Sequence, residues 1–403
     1  MVAAQEVLAR AASLRAELVA LRRTLHAHPE VGLDLPRTVA ALDAALAAHG
    51  LAATPGRAVA SRVLVIEGAR PGPTVVLRAD LDALPILEDD GNDPRSEDDG
   101  RMHACGHDLH AAMLVGAAAL LHELRAELAG RVVCVFQPGE EGYEGMQAML
   151  DEGLMDVVGP DAVASYALHV LSDTLPNGVF AGRAGVSHAT SGTFEITIEG
   201  AGGHAAFPHT TRDPIPAAAD LVTQLQVAVT RSFDVSRPVI LTVGSVHAGD
   251  APNVIPSTAV LRGTVRAFAE DSAALVPAMI ERVALGVAAA HGVSARVGFV
   301  PGYPVVVNAA SEVAAFERAI RELLGDDRFQ PLAAPLPAGD DMGRLMQRVP
   351  GAFLLLGAAP ARSADGGTHP NHSAKAEFDE EVMVDGAAAL AWLALTRTSA
   401  GRP

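Results

Sequence analysis

Strand and helix patterns alternate over the first 186 residues, and a β-α-β-β-α-β order runs over residues 187–302. With a length of 403 residues, these observations predict an α/β protein of two domains. The expected architecture is a mostly parallel sheet with helices on both faces, built from residues 1–186 and 303–403. Residues 187–302 form a smaller ferredoxin-like α+β domain inserted into it. One hydrophobic core seldom grows beyond about 250–300 residues, which also favours two.

The elements follow in chain order. "MVAAQEVLARAASLRAELVALRRTLHAHPE" reads as an amphipathic helix, with Glu6, Arg10, Arg15, Glu17, Arg22 and Arg23 between its apolar positions. A second helix is expected over about residues 37–49. "SRVLVIEG" and "TVVLRADLDALP" are strands rich in Val and Leu. Glu88 to Gly100, "EDDGNDPRSEDDG", reads as a solvated loop. "DLHAAMLVGAAALLHELRAEL" has apolar residues at helical spacing, with Asp108 placed to cap it. "GRVVCVFQPGEEG" is a buried strand running into a loop, "MQAMLDEGLM" a short helix and "DAVASYALHV" another strand. The texture changes near Val186, where "GTFEITIEGAGG" alternates as a half-exposed strand does. A helix opened by prolines ("DPIPAAADLVTQLQVAVTRSF"), strands "RPVILTVGSVHAG" and "STAVLRGTVRAFA", a helix from Asp271 and a strand from Val293 complete the insertion. The chain then returns to helix, strand ("GAFLLLGAA"), loop and a last helix from about Asp379.

Composition excludes several classes. A net charge of -18 with no basic run argues against binding nucleic acid or an anionic membrane. Two cysteines, Cys105 and Cys134, are too few for a disulfide-stapled secreted protein. No signal-type apolar core and no uncharged apolar stretch of about 18 residues is present. The cytoplasm is therefore the expected compartment.

Chemistry-bearing residues gather at expected strand ends: Asp80 and Asp82 after "VVLRA", Glu140 and Glu141 after "VVCVFQPG", and His169 after "VASYAL". Ligands of open α/β sheets bind outside the carboxyl ends of the strands. In "MHACGHDLHAA" a thiol (Cys105) stands among His103, His107 and His110 before a helix. It reads as a metal site, as an activated nucleophile, or as a buried cysteine beside solvated histidines. The paired carboxylates of "PGEEG" repel unless a cation or shared proton relieves them, so one suits a ligand and its neighbour a general base. The bland alternative is an acidic turn. A His at the end of an apolar strand is more often structural than ligating. Taken together, however, Cys, His and Glu at separate strand and loop ends suit Zn²⁺ or a similar ion.

"RADLDALPI", "MHACGHDLHAAMLVGAA", "FQPGEEG", "ALHV", "GAGGHAAFPH", "APNVIPSTAVLRGTVRAF" and "FDEE" occur in this order. Together they resemble the M20 metallopeptidase superfamily, in particular its amidohydrolase branch, which is similar to hippurate hydrolases, N-acyl-amino-acid amidohydrolases and auxin-conjugate hydrolases. The resemblance implies two divalent ions, Zn or Mn, held by Cys105, His107, Glu141, His169 and His372. Cys105 takes the place of a metal-bridging Asp in other branches. Asp80 stands where those branches have a ligand His and is not counted as a ligand. Glu140 is the implied general base and acid, with Asp82 a supporting catalytic carboxylate. His204 is the implied oxyanion donor, and Asn253 and Arg266 the implied substrate contacts. Asp340 and Asp341 match a segment where an acidic pair starts a helix, and read as capping or supporting groups. The implied reaction is hydrolysis of the amide bond of an N-acyl amino acid by a homodimer or higher oligomer. A dipeptidase or N-acetyl-diamino-acid deacetylase would use the same site. A non-enzymatic metal-binding protein is the remaining alternative.

Overall fold

The structure, a computed structural model, describes residues 2–361 and 367–399. It divides into two compact units, one of residues 1–185, 307–334 and 341–403 and one of residues 186–306 and 335–340. In chain order the first unit opens with helices α1 (Ala4–Ser13), α2 (Arg15–Ala27) and α3 (Pro36–Ala48). Strands β1 (Thr54–Pro55), β2 (Arg62–Glu67) and β3 (Arg70–Asp80) follow, then α4 (His107–Glu123) and β4 (Ala129–Gln137). Next come α5 (Gly145–Asp151), α6 (Leu154–Val158), β5 (Ala162–Leu171) and β6 (Phe180–Gly182), and β7 (Gly185–His188) enters the second unit. The second unit carries β8 (Thr190–Glu199), β9 (Gly203–His204), α7 (Pro214–Ser232), β10 (Val239–Ala248), β11 (Val254–Ile255), β12 (Thr258–Ala267), α8 (Glu270–Ala290) and β13 (Ser294–Pro301). The chain ends with β14 (Val306–Asn308), α9 (Ala310–Leu324), β15 (Phe329–Pro331), α10 (Met342–Met346), β16 (Gly351–Gly357) and α11 (Val382–Ser399).

Among the described residues the large sheet of the first unit runs β1-β2-β4-β3-β5-β16-β6-β15. Its centre, β4-β3-β5-β16, is parallel throughout, so these four strands end at one edge. Their apolar runs are near-continuous because helices cover both faces: Val132 to Phe136 and Ala352 to Leu356 are buried without a break. Helices α4 and α11 are buried almost all round and pack together. At their contact a Cβ on Gly386 would lie 2.0 Å from Met113 Sδ, so a side chain there would displace Met113. This packing sets the position of the α4 N-terminus, where His107 stands.

Three local expectations are corrected. The N-terminal segment is two helices broken at Leu14, which lets Val7 and Ala11 on one and Leu18, Leu21 and Leu25 on the other all reach the core. Asp108 does not cap α4, whose N-cap is Gly106. Instead its carboxylate forms an ion pair with buried Arg22 (Nε to Oδ2, 2.8 Å) and lies 2.8 Å from His26 Nδ1. Burial alone would raise that carboxyl, but Arg22 and His26 hold it far below the usual range. Nor is the 88–100 segment simply solvated. Glu88 is buried, 3.0 Å from His26 Nε2, and accepts from Asn92 Nδ2 (3.0 Å) and Ser96 N (2.6 Å). Its partner His26 lies 62 positions away, so composition could not reveal the anchor.

A further, partly buried pair joins α9 to α11. Arg397 grips Glu312 through Nε (2.8 Å) and Nη2 (2.9 Å), and the Tyr166 hydroxyl donates to the same carboxylate. Burial would raise Glu312, but Arg397 and Tyr166 hold it below the usual carboxylate range. A carboxyl that titrates lower when folded stabilises the fold above its unfolded value, about 4.3, and loses this contribution as pH falls through its folded value. Glu312→Gln should therefore weaken the fold at pH 7 and flatten its loss of stability below about pH 4.5. Denaturant melts across that range check this; a parent-like slope in the variant would refute the linkage.

The second unit has the β8-α7-β10-β12-α8-β13 order of a ferredoxin-like sandwich. Its sheet runs β10-β12-β8-β13 with every neighbour antiparallel. Phe194, Ile196 and Ile198 of β8 point to the helices, and the intervening residues are half-buried or exposed, as alternation predicts. Helix α7 starts where Asp213 accepts from Ile215 N (2.9 Å) with Pro214 in its first turn. By length and composition α8 could cross a membrane; here its Val276, Ile280 and Ala284 stripe is buried in this unit's core.

Candidate metal centre

The parallel order of the central strands explains how distant residues meet. β3 delivers Asp80 and Asp82, β4 leads into Glu140 and Glu141, β5 carries His169 near its end, and the loop after β16 brings His372. The turn before α4 adds Cys105 and His107. That turn needs Gly106, whose φ is 81° and whose missing Cβ would lie 2.3 Å from Val170 Cγ2.

Cys105 Sγ is the centre of the cluster. It lies 3.2 Å from His372 Nε2 and 3.5 Å from His169 Nε2. Two ligand-like triads share it: Cys105, His107 and His169, and Cys105, Glu141 and His372. Within each, one donor atom per residue lies within 4.8 Å of the others. Glu141 Oε1 is 3.1 Å from His372 Nε2 and 4.0 Å from His107 Nε2. Glu140, also buried, groups with His107 and Glu141 in the same way.

Three observations fit this donor set to a cation. First, among the described residues buried His107 has no hydrogen-bond partner on either ring nitrogen, and Glu141 Oε1 meets only the His372 ring, at 3.1 Å. Such groups are costly unless something else satisfies them. Second, the set combines thiol, imidazole and carboxylate, the donors of zinc-like sites. Third, the local potential is negative. Hydrogen bonding to Cys105 and Glu141 pushes His372 up to about 10. Burial opposes charge on His107, yet Asp80, Asp82 and Cys105 raise it well above the ordinary imidazole value. His169 is the exception. Burial, with His110 nearby, drives it well down, so its ring is neutral, as a ligand must be. His169 Nδ1 lies 2.8 Å from the Val170 carbonyl, which can only accept, so the Nε2 lone pair faces Cys105.

Asp82 holds the acidic loop. Its carboxylate accepts from the amides of Glu140 (2.8 Å) and Glu141 (3.0 Å) and lies 3.7 Å from His107 Nδ1. Asp341 does not cap α10 with its side chain. It accepts from Arg78 Nη2 (2.9 Å), Gln137 Nε2 (2.7 Å) and Met146 N (2.8 Å) in the buried interior. His103 is buried and pushed down to about 3 by its surroundings; it joins none of the ligand-like groups.

His204, Asn253 and Arg266 lie in the second unit. β9 and β11 pair, so His204 faces Val254 across the ladder, and the Asn253 carbonyl accepts from Ala205 N (3.1 Å). His204 is exposed, and its Nδ1 accepts from Ala206 N (3.0 Å), so a neutral ring carries its proton on Nε2. Arg266, half-buried on β12, finds no carboxylate among the described residues, and burial lowers its pKa.

Sequence reasoning missed Arg78, Gln137 and Asn371. Arg78 left a trace, as a charge inside the apolar run of β3. Asn371 left none; its side chain donates to the Val170 carbonyl (3.0 Å) and the Cys105 carbonyl (3.2 Å), contacts that only the fold creates.

The family model described as Peptidase family M20/M25/M40 matches residues 76–396. The chain is 37% identical over 382 residues to IAA-amino acid hydrolase ILR1-like 2 of Arabidopsis thaliana, covering 94% of this chain and 84% of that protein. It is 35% identical over 373 residues to an N-acetylcysteine deacetylase of Bacillus subtilis (strain 168), covering 91% and 93%. Among solved structures, a Bacillus subtilis protein described as a dinuclear metal binding peptidase from the M20 family superposes with a TM-score of 0.81. That pair is 31% identical over 96% of this chain and 99% of the other.

Proposed function

The chain belongs to the M20/M25/M40 peptidase family, and from that premise we propose that it is a metal-dependent amidohydrolase cleaving the amide bond of N-acyl amino acids. The observation that carries this reading is two ligand-like triads sharing one thiol, with a further buried carboxylate, Glu140, grouped with His107 and Glu141 beside them. A purely structural metal site is a closed cage with no spare base. Cys105, His107, Glu141, His169 and His372 are the ligands. Two divalent ions, Zn or Mn, supply an acidified water and a polarised amide carbonyl when bound.

The protein's own residues do the rest. Glu140 takes the proton of the attacking water and returns it to the leaving nitrogen. Asp82 fixes both loop carboxylates through their amides, so Glu140 stays in place while its charge state changes. His204 offers its Nε2 proton to the developing oxyanion, from the same chain or a partner copy in a homodimer. Asn253 adds a polar contact to the substrate. Arg266, without a carboxylate of its own, receives that of the substrate.

A panel of N-acetyl, N-benzoyl and longer N-acyl amino acids, with dipeptides beside them and metal-stripped protein as control, tests the reading. Metal-dependent release of the free amino acid is expected. Turnover of dipeptides alone would favour the peptidase alternative, and no turnover of any member would refute the assignment. Arg266→Ala should raise KM about tenfold or more for acids and leave it nearly unchanged for the matching amides. Equal effects on both would remove Arg266 from carboxylate binding.

A further inference from the structure

We infer that Arg78, Asp80 and His110 form a strap that holds the backbone of one residue, Val170, and through it orients two of the metal-ligating histidines. The inference rests on the five-ligand reading and concerns residues outside that set.

The strap begins at Arg78. Its buried guanidinium donates to Gln137 Oε1 (2.8 Å), Asp80 Oδ2 (2.6 Å) and Asp341 Oδ1 (2.9 Å). Asp80 is thereby pinned, and its other oxygen lies 2.6 Å from His110 Nδ1. His110 Nε2 lies 2.8 Å from the amide nitrogen of Val170. A peptide N–H can only donate, so Nε2 must accept and Nδ1 must carry the proton given to Asp80. Both ring nitrogens are spent on protein partners. His110 and Asp80 group with His107 as a conceivable ligand triad, but a ring with no lone pair left cannot ligate.

The geometry of the sheet shows why Val170 needs this grip. β3 pairs with β5 only as far as Arg78 opposite Ala167. Val170 extends past that point, so its N–H and C=O have no ladder partner on that side. Side chains take the place of the missing strand. His110 receives the N–H, while the C=O receives His169 Nδ1 (2.8 Å) and Asn371 Nδ2 (3.0 Å). The first of these bonds sets the His169 tautomer. The second fixes Asn371, next to His372, which itself sits at a φ of 68°, in the left-handed region. His372 N also donates to the Ala104 carbonyl (2.9 Å), beside Cys105. The backbone of one residue, gripped at its N–H and its C=O, thus stands behind His169 and His372 together. Asp80 acts through His110, as a positioning residue and not as a ligand.

The test uses the full chain stripped of metal and titrated with Co²⁺. Visible absorption reads the ligand field, and atomic spectroscopy counts bound metal. His110→Leu should weaken at least one Co²⁺ by about 10–100-fold and shift its bands, whatever the hydrolytic rate. His110→Gln, whose amide oxygen can take the Val170 N–H, should return affinity and bands toward the parent's. Asn371→Ala, a change in a loop, should weaken binding in the same way and decides the matter if His110→Leu does not fold. Folded variants that bind two Co²⁺ with the parent's affinity and bands would overturn the strap alone. A parent that takes up no Co²⁺ would overturn the five-ligand reading, and the strap with it.

Discussion

Replacing Glu140 with Gln should lower kcat by about 10²–10⁴-fold and leave KM and metal content close to the parent's. The expectation follows from position and chemistry. Glu140 is buried beside His107 and Glu141, and its amide is tied to Asp82. Gln keeps the size and the backbone bond but cannot accept the proton of an attacking water. The loss should therefore fall on the chemical step alone. Steady-state kinetics on the best N-acyl amino acid, with metal measured on the same preparation, provides the check. A Gln variant with intact metal and unchanged kcat would move the base elsewhere, and would revive the reading of a protein that only holds metal.

The second large effect is on stability. Asp341→Ala should cost about 3–5 kcal/mol, because it removes one partner of a buried ion pair and strands several donors at once. Arg78, Gln137 and the Met146 amide all converge on that carboxylate, which is fully buried. Denaturant melts of the metal-free protein measure the loss without interference from ligand binding. Glu381→Ala is the matched control. It breaks the ion pair with Arg15, whose side chains are both more than half exposed, and the midpoint should hardly move. Equal shifts in the two variants would show that the interior network around Asp341 contributes nothing special.

Much of this architecture is legible in the sequence, for identifiable reasons. Strands such as "VVCVF" and "FLLLG" are buried on both faces, and their unbroken apolar runs announce a covered parallel sheet. The alternation in "TFEITIE" announces a sheet open on one side. Candidate ligands are legible because Cys, His and Glu are conspicuous after apolar strands. What is hidden is pairing across distance. Asp108 looked like a cap because local spacing suggested it, yet its partners come from a helix some 80 positions earlier. Glu88 looked solvated because its neighbours are acidic, and only His26 reveals why it is buried. His110 stood beside the ligands in sequence, and nothing but the fold shows that both its nitrogens are already committed.

The placement of His372 also sets a timetable. Cys105, His107, Glu141 and His169 all leave the ribosome early, whereas His372 follows about 200 residues behind His169. At ~5–20 residues per second, that interval is roughly 10–40 s of synthesis. β16, the strand that flanks β5 and leads into the His372 loop, arrives equally late. A chain stopped before His372 therefore lacks one of the side chains that surround Cys105, and with it one of the five ligands proposed above.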